Sequence, residues 1–290
     1  MLDSGPGVGW GVPMRLHRSI GLLPALLAIA ACEREAAAPI VITTTSVSTL
    51  PGPESAKDLE NAPASTPPLA DAVAPATAPV AGLAGVPNAS PAAGNPSASV
   101  RVYVFTDFQC PVCRRVVEPL KLLARSLPDD VFLVVKHAAS ERHLLAGDAA
   151  AASLAAFRQR HFWAFHDRAF VDQSRLRRDD LAAVASAAGL DVEAFMHGLG
   201  DESVKAQVAY ESALAASLDL DSTPSFVVNG HVQRGWGSYR GLEGIVEREL
   251  TRARVIAAEG VPAHRVAFEA TRRAKPDGER LAAALFEPLD

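Results

Sequence analysis

The sequence predicts a single α/β domain whose sheet is interrupted by a helical insertion. Three observations point to it. A strand–helix–strand unit lies between Val100 and Val135, helical periodicity fills about residues 140–220, and a strand pair around Asn229–Gly230 leads into further helix. With 290 residues, 49% of them hydrophobic, the chain is long enough to bury a sizeable core. The net charge of −5 argues against nucleic acid as a partner, since such domains carry a basic stripe. Three cysteines are too few for a disulfide scaffold or an all-cysteine zinc site.

Val100–Phe108 (VRVYVFTDF) is rich in β-branched and aromatic residues and reads as a buried strand. From Cys110 to Leu127, the residues Val116, Leu120, Leu123 and Leu127 share one helical face, and Pro119 within it predicts a kink. Val131–Val135 (VFLVV) is a second strand, and so short a strand–helix–strand unit implies a right-handed crossover between parallel strands. In the insertion, Asp191 and Asp201 read as helix N-caps and Gly189 as a helix stop. Ser225–Val228 and His231–Arg234 then read as a hairpin about Asn229–Gly230. Helices are expected at 242–259 and 263–273, with Pro276 and Gly278 loosening the chain before the tail.

Upstream of this domain the chain changes character. Arg15, His17 and Arg18 precede an apolar stretch from Ile20 to Ala31, the length of a secretory signal's core and too short to span a bilayer. Residues 1–31 are therefore expected to be a signal peptide, with Met14 a candidate true start. The sequence Ile29–Ala30–Ala31–Cys32 resembles the lipobox of bacterial lipoproteins. That resemblance implies acylation of Cys32, a membrane anchor and a location on the periplasmic side of the cell envelope; an ordinary signal with Cys32 incidental is the alternative. Residues 32–99 hold 11 of the 21 prolines and no Phe, Trp or Tyr, so they read as a disordered tether.

Cys110–Pro111–Val112–Cys113 is the chemical centre of the sequence. At a helix start, unpaired N–H groups and the helix dipole stabilise a thiolate on the first cysteine. The second lies close enough to resolve a mixed disulfide. Arg114 and Arg115 add positive charge, and Asp107 opposes them. The aromatic cluster Phe162, Trp163, Phe165, His166 and Phe170 has core spacing, whereas His161 and His166 themselves read as capping or surface groups. Lys136 reads as a solvated strand-end residue.

Here the chain resembles the DsbA-like branch of the thioredoxin fold. The strand–CPVC–helix start, the helical insertion (about 138–220) and Thr223–Pro224 before the strand Ser225–Val228 carry the resemblance over about residues 100–260. It implies a thioredoxin fold with a C-terminal helical extension and tail over 261–290. It also implies a protein thiol–disulfide oxidoreductase, with Cys110 as nucleophile and Cys113 as resolving thiol. Pro224 would be cis beside the dithiol, and Thr223 would pair its backbone with an extended substrate segment. Pro111 and Val112 would modulate the site. The strongest oxidants of the family carry His where this chain has Val112, and the family often has a buried acid at about the position of Val104.

No cofactor is implied beyond the redox-active Cys110–Cys113 disulfide, and no metal. Expected partners are cysteine-containing exported proteins and a membrane redox partner. Two rival readings use the same residues. One is a copper or zinc metallochaperone, with His137 or His231 approaching the thiols in space; the other is an inert interaction module. Oxidase, reductase and isomerase directions share these residues.

Overall fold

The computed structural model describes residues 68–71, 79–80, 83–87 and 90–286. The leader 1–31 with Met14, the acylation candidate Cys32 and most of the predicted tether 32–99 lie outside the described residues. Two strands, β1 (Pro79–Val80) and β2 (Leu83–Pro87), form a short antiparallel pair.

A five-stranded sheet forms the centre of the domain. Its strands are β3 (Ala92–Gly94), β4 (Val100–Thr106), β5 (Val131–His137), β6 (Ser225–Val228) and β7 (His231–Arg234), in the order β3-β5-β4-β6-β7. β4 and β5 run parallel, from Val100 opposite Val131 to Thr106 opposite His137, as the crossover argument requires. Every other pairing is antiparallel. β4 is buried at every position except Arg101, as a central strand covered on both faces must be. Asn229 and Gly230 both have positive φ, 44° and 87°, which matches the right-handed twist of the hairpin they close.

The fold begins earlier than residue 100. β3 lies within the stretch read as tether and pairs with β5, burying Ala92 and Ala93. Two alanines and a glycine carry no β-branched signal, yet small size is what this edge requires: a Cβ on Gly94 would lie 2.2 Å from the Val131 carbonyl oxygen. Further upstream, Leu69 packs on the core and Asp71 accepts a hydrogen bond from Phe162 N at 3.3 Å.

The predicted helix after the dithiol is split into α1 (Pro111–Arg115) and α2 (Val117–Ser126). Pro119 has no N–H to give the Arg115 carbonyl four residues back, and the break falls there. The insertion comprises α3 (Ala146–Arg158), α4 (Phe162–Val171), α5 (Arg178–Ala187), α6 (Val192–Leu199) and α7 (Glu202–Ser217). Asp191 and Asp201 cap α6 and α7 by accepting from Ala194 N and Ser203 N, and Gly189 follows α5 with a φ of 79°.

Three helices complete the chain: α8 (Tyr239–Ala258), α9 (Ala263–Arg272) and α10 (Gly278–Leu285). The last stands where a loosened chain was expected. Gly278 allows it, because a Cβ there would meet the Thr271 carbonyl oxygen at 2.4 Å. Leu281, Leu285 and Phe286 then cover the sheet, and the Tyr103 hydroxyl donates to the Leu285 carbonyl at 2.5 Å.

The aromatic cluster of α4 is core, as its spacing predicts, but two polar expectations are corrected. His166 is buried among Phe108, Phe162 and Phe170, with Nδ1 3.1 Å from Asp167. Lys136 is not solvated: it donates to Ser90 Oγ at 2.7 Å and lies 3.6 Å from the buried Glu211 carboxylate. Alternation along β5 sends Lys136 and His137 to opposite faces, and Glu211 of α7 reaches both. It accepts from His137 N (2.9 Å), His137 Nδ1 (2.7 Å), Ser90 Oγ (3.1 Å) and Gln207 Nε2 (3.2 Å). On the other side of the ring, His137 Nε2 meets Ser153 Oγ of α3 at 2.8 Å. Ser153, His137 and Glu211 are too buried to meet a substrate, so the arrangement joins sheet to insertion.

Burial pushes the Glu211 carboxyl up, but Lys136 and the hydrogen bonds from His137 outweigh it and hold the group at about 2. A depressed carboxyl stabilises the fold above its unfolded value near 4.5 and loses that contribution as pH falls through about 2. Glu211→Ala is expected to cost about 3–5 kcal/mol, read from the urea midpoint at pH 7. The difference between variant and wild type should shrink between pH 4 and 2.

Candidate active site

Cys110 occupies the N-cap of α1, in extended conformation, with Pro111 at the first helical position. Pro111 has no N–H to leave unpaired, and the N–H groups of Val112 and Cys113 point at the Cys110 sulfur. Cys110 is 6% exposed and Cys113 fully buried, so the chemistry has one accessible end. Both are free thiols. Across from them the Thr223–Pro224 bond is cis, and Cys110 Sγ lies 3.4 Å from the Thr223 carbonyl oxygen. The pairing of β6 with β4 puts these residues, more than a hundred apart in sequence, against one another.

The environment separates the two thiols. Cys110 is lowered to about 5, first by the hydrogen bond from Cys113, then by those with Thr223 and from the Cys113 and Val112 N–H groups, with burial opposing. Cys113 is pushed strongly upward by burial and by its position beside the Cys110 sulfur, against hydrogen bonds from Thr106 and the Asp107 N–H. Arg114 and Arg115 are exposed on the last turn of α1. Val112 is half-buried against the core and contributes no charge.

Asp107, whose charge was expected to oppose the thiolate, is engaged by three donors. Its carboxylate accepts from Gln109 N (2.7 Å), Ser140 N (2.9 Å) and His143 Nδ1 (2.8 Å). Gln109 Oε1 in turn accepts from Leu145 N at 2.5 Å. The partners in the 138–145 loop lie about 35 residues away in irregular chain, and no local pattern announces them. Neither histidine proposed to approach the thiols does so. Both ring nitrogens of His137 are engaged by Glu211 and Ser153, and His231 is exposed on the edge strand β7. Among the described residues no three of His, Cys, Asp and Glu are grouped to hold a metal ion.

Alkylation of Cys110 by iodoacetamide should follow the thiolate, with a rate that falls as pH drops through about 5, while Cys113 stays unmodified. Mass spectrometry of the reduced protein at a series of pH values checks both.

The thioredoxin family model matches residues 88–248, more than half of the chain. Among curated proteins, a Na(+)/H(+) antiporter NhaA 1 of Mycolicibacterium gilvum is 36% identical over 145 residues, which is 49% of this chain and 24% of that protein. The NhaA antiporter of Herminiimonas arsenicoxydans is 32% identical over 154 residues, 53% of this chain and 24% of its own. The chain thus spans about a quarter of the length of the curated relatives it matches. Among the described residues no helix is long and apolar enough to cross a membrane. A solved thioredoxin-like oxidoreductase from Silicibacter pomeroyi superposes with a TM-score of 0.51 at 31% identity, covering 55% of this chain and 91% of that one. BdbD from Bacillus subtilis, in its oxidised form, gives 0.51 at 22% identity over 64% of this chain and 100% of its own, a likeness of fold alone. With a CPVC dithiol at a helix start, a cis proline facing it and a helical insertion between the strands that carry them, the chain belongs to the thioredoxin family.

Proposed function

We propose that this protein is an exported thiol–disulfide oxidoreductase acting on cysteine-containing proteins. The observation that carries the reading is the asymmetry of the dithiol: Cys110 keeps a small exposed surface and is held as a thiolate, while Cys113 is fully buried and protonated. The thioredoxin-like oxidoreductase of Silicibacter pomeroyi, similar over 91% of its length, supports the same reaction class.

In the donor direction, a substrate thiolate attacks Cys110 in the Cys110–Cys113 disulfide. The intramolecular S–S bond breaks, Cys113 leaves and takes a proton, and a mixed disulfide joins substrate to Cys110. A second substrate thiolate attacks the substrate sulfur and expels Cys110. The substrate has then lost two electrons to the dithiol and two protons, one to Cys113 and one to solvent, because Cys110 leaves as a thiolate. A leaving thiol held near 5 departs readily and stabilises the reduced protein, which favours this direction. A membrane redox partner that accepts the electrons would restore the disulfide. The Thr223 carbonyl and the cis Pro224 beside Cys110 offer a backbone edge to an extended substrate segment.

Export and anchoring rest on the basic-apolar leader and Cys32. Acylation there would keep the domain on the periplasmic side of a bacterial envelope, where disulfides persist.

Oxidation of a reduced two-cysteine peptide should fall to background in Cys110→Ser. Cys113→Ser should accumulate mixed disulfides as reducible bands on a gel; full activity in Cys110→Ser would refute the mechanism. Cys32→Ala should lose incorporation of labelled palmitate and move to the soluble fraction. An unchanged membrane fraction would overturn the anchor.

A further inference from the structure

The turn that carries Cys110 is held from two sides by the helical insertion. On one side stand the bonds of Asp107 and Gln109 to the 138–145 loop already described. On the other stands Gln173, half-buried in the loop after α4. Its Nε2 donates to the Phe108 carbonyl at 2.8 Å and to the Cys110 carbonyl at 2.9 Å. An amide nitrogen has two hydrogens, so both are committed to one turn. The bond within the helix from Arg114 N to the same Cys110 carbonyl is long, 3.4 Å. The side-chain bridge is thus the shorter restraint on the carbonyl of the residue that bears the accessible sulfur.

We propose that Gln173 is a positioning residue of the dithiol: by bridging the Phe108 and Cys110 carbonyls it fixes the Cys110 backbone so that the sulfur stays over the N–H groups of Val112 and Cys113. The geometry gives the reason. Hydrogen bonds to sulfur from these two N–H groups depend on the direction of the Cα–Cβ bond at residue 110, which turns with the peptide plane that Gln173 grips. Such bonds weaken steeply off axis. The restraint therefore favours the thiolate over the disulfide, in which the sulfur is tied to Cys113 instead. The importance of this residue for turnover rests on the exchange reading above; its effect on the thiol does not.

The test uses the full chain with Gln173→Leu, which removes both donors, and Gln173→Met, which keeps the length of the side chain without a donor or a charge. Ser174→Ala is the control, since that hydroxyl bonds Asp172 in the same loop. Two quantities are read: the pH midpoint of Cys110 alkylation, and the equilibrium constant with glutathione at pH 7. Both Gln173 variants should raise the midpoint by about one pH unit. Loss of thiolate stabilisation makes the disulfide easier to form, so its formation constant should rise about tenfold, or about 30 mV toward a more reducing couple. Ser174→Ala should change neither. If Gln173→Leu unfolds, the two readouts on Gln173→Met decide the matter. A midpoint within about 0.2 pH unit of wild type and a constant within twofold, in a folded Gln173→Met protein, overturn the proposal. A wild-type protein that exchanges no disulfide with peptides overturns the proposed function instead, and leaves the alkylation midpoint to decide the role of Gln173.

Discussion

A single buried carboxylate, Glu211, holds three parts of the molecule in register. It collects His137 and Lys136 from the end of β5 and Ser90 from the approach to β3, while His137 reaches on to Ser153 of α3. An ion so far from water persists only where its lone pairs are used and its charge is met, and here both hold. The end of β5 matters because Thr106 of β4 lies opposite His137 and is followed by Asp107 and the dithiol turn. Where the helical insertion sits on the sheet therefore governs where the loops that touch that turn arrive.

The site itself works by contrast. Two chemically identical side chains, three residues apart, are given opposite acid strengths by position alone. One sits at the mouth of a helix, where N–H groups have no other partner; the other has turned inward among the helices of the insertion. No arginine or histidine is needed for the lowering at Cys110, which comes from hydrogen bonds within the CPVC segment and with Thr223. Val112 in place of a polar residue leaves that contrast intact.

Much of this was legible in the sequence because it is local. The strands of the crossover, the Asn229–Gly230 turn, the caps at Asp191 and Asp201 and the helix break near Pro119 each follow from residue types within a few positions of one another. The dithiol at a helix start belongs to the same class. What escaped is long-range or depends on smallness. Gln173, Asp107 and Glu211 matter through partners 33–121 residues away, and each is an ordinary polar residue in its own neighbourhood. β3 and α10 were obscured because alanine and glycine signal flexibility in a sequence, whereas here they permit close approach to backbone. Lys136 and His166 show the same limit, since burial of a polar side chain is decided by what packs over it.

The early start of the fold changes the reach of the domain. With Leu69 and Asp71 attached to the domain, the chain between Cys32 and the folded body spans fewer than 40 residues, rather than the nearly 70 counted to Val100. Fully drawn out, such a segment measures at most about 130 Å. Were Cys32 the lipid-bearing residue, the dithiol would sweep a shallow zone above the bilayer. That length, rather than the full stretch to Val100, would set how far from the bilayer the Cys110–Cys113 pair could work.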